Sequence, residues 1–141
     1  MRKIKFRAWD KKNKKMWAYA NPGFPDNKIV NVSQYANGTF NEFLHVHEIE
    51  LMQYTGLNDK DWKKICEGDI YRDIDDMEFE IRWDNIGCKF IAYCLKEKKR
   101  LFLGLDSLKA GIIIGNVYEN PEILQDQIMR RISIVNGVFR F

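Results

Sequence analysis

Histidine, proline and cysteine are scarce in this chain of 141 residues: two histidines, three prolines and three cysteines. An odd number of thiols without a Cys-x-x-Cys pair (Cys66, Cys88, Cys94) argues against a disulfide framework and against a four-thiolate zinc site. No long apolar run is present. The longest aliphatic stretch, Ala-Gly-Ile-Ile-Ile-Gly at 110–115, is far too short to span a bilayer, and the basic start "MRKIKFRAWD" lacks the apolar segment of a secretory signal. A soluble protein of a reducing cytoplasm, with no membrane partner, is therefore expected. Outside a secretory route, the sequons at Asn31 and Asn37 read as turn chemistry.

Catalytic signatures are missing as well. Ser33, Ser107 and Ser133 are the only serines and none lies in a Gly-x-Ser-x-Gly elbow, and there is no phosphate-cradling glycine loop. Asp59 and Asp61 alternate as in a calcium loop, but Lys63, Lys64 and Ile70 stand where such a loop needs a ligand, its glycine and a bidentate Glu. Asp69 with Asp73, Asp75 or Asp76 could form a carboxylate pair for hydrolysis, although acids on a polar segment more often make a solvated face. No catalytic residue and no cofactor are expected. His45 and His47 are weak metal candidates, since two imidazoles two residues apart on a strand share a face but need further ligands that the sequence does not place.

What the chain does have is an apolar content of 45%, enough for the core of one domain over 1–141, and an uneven charge distribution. The net charge of +3 is too small to imply nucleic acid by itself. Lys11, Lys12, Lys14 and Lys15 crowd one predicted hairpin tip, and Lys96, Lys98, Lys99 and Arg100 crowd another, while acids fill 73–80. If both tips shared one surface they would form a nucleic-acid footprint.

Strand patterns dominate. Residues 4–9 alternate, with Ile4, Phe6 and Ala8 on one face, and 15–19 resume after a polar turn, which predicts an amino-terminal hairpin. Further strands are expected at 28–35, at 43–54 as one element (with a helix as the alternative there, since its apolar spacing is not cleanly of period two), at 77–83 with Met77, Phe79, Ile81 and Trp83 inward, at 89–95 paired with 101–105, and at 112–118. A single helix is expected from Pro121, capped by Asn120. The fold class is mainly β (β-rich α+β). In "TGLNDKDWKKICEGDIYR", Gly56, Glu67, Gly68 and Asp69 are read as a structural turn motif. On that reading Gly68→Val is expected to damage folding, whereas Asp59→Ala costs little.

Three stretches together carry a resemblance. "IKFRAWDKKNKKMW" (4–17), "LMQYTGLNDKDWKKICEGDIY" (51–71) and "IIGNVYENPEIL" (113–124) are similar in content, order and spacing to blocks of the YopX family, proteins encoded by bacteriophages and prophages. The recognisable blocks run over 4–124, and 125–141 is a tail extension with no assigned role. The resemblance implies an SH3-like barrel and association of several copies, without a known reaction. Family members commonly carry glycine where this chain has Trp62. The expected protein is a phage accessory protein in the host cytoplasm, a non-enzymatic binding or assembly module whose partners are itself and a host or phage protein. A weak nucleic-acid-binding module and a metal-dependent hydrolase are the alternatives.

Overall fold

The computed structural model describes residues 4–22, 28–95 and 102–124, with the backbone alone at Phe102. These residues divide into two compact units, separated between Leu57 and Asn58. The molecule is mainly β, with two antiparallel sheets and a short helical segment at 121–124.

The first unit is built on β1 (Phe6–Asp10), β2 (Lys15–Pro22), β3 (Ile29–Ser33), β4 (Asn41–His45) and β5 (Ile49–Asn58), in the order β4-β3-β2-β1-β5. Every neighbouring pair is antiparallel. Ala8, Trp17, Ala20, Val30, Val32 and Ile49 form its core, against which Phe6, Leu44 and Leu51 pack. Trp17 and Ala20 have opposite parity on β2 yet share that core, because the register with β1 shifts between Phe6 and Ala8. An extra residue opposite one strand is a β-bulge, and it turns both side chains inward.

The second unit holds β6 (Lys64–Cys66), β7 (Asp69–Asp73), β8 (Glu78–Asp84), β9 (Lys89–Cys94), β10 (Phe102–Gly104) and β11 (Gly111–Asn116). Its sheet runs β10-β9-β8-β7-β11. Successive residues of β7 enter different cores: Tyr71 joins Ile65, Phe79, Ile81, Ala92 and Cys94, while Ile70 joins Tyr93 and Leu95. Ile123 and Leu124, from the helical segment, pack on the second cluster. Both sheet faces are thus covered, so β9 is buried from Phe90 to Cys94 without alternation. Fully burying side chains such as Ile70 and Ile81 contributes about 1.5–3 kcal/mol each.

Several expectations need correction. The single strand expected at 43–54 is broken by a 3-10 turn at Val46–Glu48, which joins β4 to β5. Ladder bonds to β3 end at Val46, whose N–H donates to Lys28 O (2.8 Å), and β5 then pairs with β1 instead. Trp83, expected inward, is 42% exposed and makes an edge contact with Phe90 at 4.9 Å between ring centroids. Asn31 sits inside β3, not in a turn; only Asn37 behaves as expected, its Oδ1 accepting from Thr39 N–H and Oγ1. Asn120 does not use its Oδ1 as a forward cap, because that atom accepts from Asn116 N–H (3.1 Å). The loop at 23–27, the basic tip 96–100 and the tail 125–141 lie outside the described residues.

Candidate functional site

The stretch from Thr55 to Arg72 resolves into corners held by its own carboxylates. Asp59 Oδ1 accepts the N–H groups of Asp61 and Lys63, both at 2.9 Å, and its Oδ2 accepts Ile113 N–H at 3.0 Å. Lys60 N–H adds a bond to Gly111 O at 3.0 Å. The turn is thereby fastened along β11, an edge strand of its sheet. This overturns the expectation that Asp59→Ala costs little, since the carboxylate bridges 54 residues of chain as well as its own turn.

Asp73 repeats the device, with Oδ1 accepting from Asp75 N–H (2.9 Å) and Met77 N–H (3.0 Å). In both turns the residue three after the aspartate has positive φ, Trp62 at 64° and Asp76 at 61°. Glu67 and Gly68 form the two-residue connection between β6 and β7, with Gly68 at φ 82° and Asp69 Oδ2 accepting Cys66 N–H at 2.8 Å. Gly68 also receives Val117 N–H on its carbonyl (2.9 Å), which ties this corner to the end of β11. Gly56 has φ 92° within β5 and open space around its α-carbon.

Burial pushes the Asp59 carboxyl up, but the N–H groups of Ile113, Lys63 and Asp61, with the Lys63 charge, outweigh it and hold the group below the usual carboxylate range. Asp10 is held low likewise: burial opposes, while hydrogen bonds from Asn13 and Lys12 prevail. A carboxylate kept ionised and occupied by backbone donors is a poor general base near neutral pH. Asp59, Asp69 and Asp73 organise the backbone of these turns.

The charged and imidazole residues lie elsewhere, in the first unit. Lys11, Lys12, Lys14 and Lys15 occupy the exposed tip between β1 and β2. Lys11 is committed to His47 O (3.3 Å) and to Glu50 (3.3 Å), and Lys15 Nζ lies 4.1 Å from the Trp17 ring centre. Lys12 and Lys14 extend into solvent. Lys96, Lys98, Lys99 and Arg100 fall outside the described residues. His45 and His47 stand side by side with ring centroids 4.6 Å apart, both exposed, one at the end of β4 and one in the 3-10 turn. Among the described residues no third His, Cys, Asp or Glu completes a metal-holding group.

Sequence reasoning missed the surface beside them. Phe40 is 72% exposed and Phe43 71%, and Tyr35 packs against Phe40 at 5.9 Å between ring centroids. Phe43 lies on β4, the edge strand of its sheet, on the face opposite Leu44, which enters the core. The available signal is the aromatic spacing in "YANGTFNEF" at 35–43.

The chain was compared with known proteins. The YopX family model, described as YopX protein, matches residues 5–125. The crystal structure of protein EF1440 from Enterococcus faecalis aligns with a TM-score of 0.62 at 26% identity, covering 88% of this chain and 99% of that one. The comparison with curated proteins found no match. Apart from Ile4, the three blocks of the resemblance lie within the matched span: the β1–β2 hairpin, the corners from β5 to β7, and the β11 segment, which is fastened to Asp59 and Gly68. The chain belongs to the YopX family.

Proposed function

We propose that the protein is a non-enzymatic binding and assembly module, encoded by a phage or prophage and working in the host cytoplasm, that associates with copies of itself. The observation that carries this reading is the exposed aromatic surface of the β3–β4 hairpin, where Tyr35, Phe40 and Phe43 stand in solvent along a sheet edge. Apolar groups rimmed by polar ones mark interaction surfaces, and an open edge strand is a template for pairing. The antiparallel sheet β10-β9-β8-β7-β11 supports the SH3-like reading of the second unit. Acids of that unit that a hydrolase would recruit are engaged instead: Glu78 pairs with Arg72 (3.0 Å), Glu80 with Arg82 (2.9 Å) and Asp75 with Lys109.

Light scattering across a concentration series tests the reading. The expected result is a mass above one chain at tens of micromolar, roughly where a specific interface of ordinary size is occupied. A monomer throughout that range would refute it. The nucleic-acid reading, which draws on Lys11, Lys12, Lys14 and Lys15 together with Lys96, Lys98, Lys99 and Arg100, ranks second, because Lys11 and Lys15 already have partners.

A further inference from the structure

We propose that β4 is the self-association edge, pairing antiparallel with β4 of a second copy about a two-fold axis at Phe43. This inference rests on the self-association reading above. β4 bonds to β3 on one side, and among the described residues its other side is open. The orientation of its backbone follows from one bond. Val46 N–H donates to Lys28 O, and the register pairs Leu44 with Val30 and Glu42 with Val32, so residues 42, 44 and 46 are the hydrogen-bonded positions toward β3. The N–H and C=O groups of Asn41, Phe43 and His45 therefore point to the open side.

A second β4 centred on Phe43 places Phe43 opposite Phe43 and Asn41 opposite His45, and these are the positions whose backbone groups are available. The exposed apolar residues follow the same symmetry. Phe40 and Val46, 72% and 42% exposed, lie three residues either side of Phe43, just beyond the two ends of β4, so the pairing brings each Phe40 toward the partner's end of β4 near its Val46 while the two Phe43 residues meet at the axis. Phe40 moreover holds a left-handed φ of 55°, rare for a bulky side chain, beside Tyr35. A two-fold contact needs a self-complementary patch, and about Phe43 the backbone orientation is symmetric and Asn41 and His45 are both exposed. Sheet-edge addition of this kind draws affinity from main-chain bonds and register from alternate side chains.

Cysteine cross-linking tests it in the full chain, with exposed Cys88 changed to Ser as background. Opposed residues of a hydrogen-bonded antiparallel pair have Cα atoms about 5.5 Å apart, within disulfide reach. Phe43→Cys should oxidise to a covalent dimer. Asn41→Cys alone should not, because two Asn41 positions lie about 13 Å apart along the strands, whereas Asn41→Cys mixed with His45→Cys should link. The mixed pair keeps the axis phenylalanine, so it remains decisive if losing that ring weakens the contact. Self-association of the wild type by light scattering, with no cross-link in the mixture of the two variants, overturns this interface and leaves the broader reading standing. A monomeric wild type overturns both, leaving the edge for a strand of another protein.

Discussion

Aspartates placed at the start of turns do most of the local shaping in this molecule, and Asp59 does it at the longest range. Asp59→Asn keeps one acceptor but turns an amide donor toward either Ile113 N–H or the Asp61 and Lys63 pair. A buried donor left facing a donor costs about 1–3 kcal/mol, so a lowered melting temperature is expected. The acid limb should change too. Asp10 and Asp59 have folded pKa values below their unfolded ones, so their stabilisation is fully present above about pH 4 and is lost as pH falls through the folded values. Urea melts at stepped pH should show wild type losing stability below that point and Asp59→Asn losing less. Trp62 offers the opposite test. It is 83% exposed at φ 64°, so Trp62→Gly gives up little packing and relieves a left-handed side chain. A gain of about 0.5–1 kcal/mol is expected after the added chain entropy of glycine, raising the melting temperature by about 2–4 °C; a lowered value would show that the indole packs on something.

At the scale of elements, β11 depends on a missing side chain. A β-carbon on Gly111 would sit 2.1 Å from Arg72 O and 2.7 Å from Asp73 Cα, both backbone atoms of the neighbouring strand. Neither can move without opening the β7–β11 ladder, in which Gly111 pairs with Asp73. Gly111→Ala should therefore cost about 1–3 kcal/mol or more, and hydrogen exchange should locate the added opening at 69–73 and 111–116. Unchanged protection there would mean that the two strands can separate without loss. Gly68→Val is expected to weaken the adjoining corner through its positive φ of 82°.

For the whole molecule, charge decides how it meets nucleic acid. The acids at 75, 78 and 80 are paired with Lys109, Arg72 and Arg82 and so offset nearby cations among the described residues. On the β1–β2 tip, two of four lysines are engaged. Anisotropy titrations with labelled single- and double-stranded DNA at two salt concentrations should show weak binding that disappears at the higher salt. Tight binding that persists would place nucleic acid ahead of self-association.

The mainly β class was legible in the sequence, because period-two alternation and turn residues are local: the β1–β2 hairpin, β8 and the short apolar strand β11 could all be read from neighbouring residues. So was the conformation at Gly68, where a tight connection needs a residue that tolerates positive φ. Burial was less legible, since it depends on what covers a face. Trp83 follows the alternation of β8 yet reaches solvent, and β9 shows no alternation because both faces of its sheet are covered. Nothing adjacent in sequence told Asp59 that its second oxygen would meet Ile113, or broke 43–54 at Val46, where the chain leaves β3 and joins β1. The open side of β4 has the same origin. An edge is defined by the strand that is absent beside it, and only the tertiary arrangement says which strand has no neighbour.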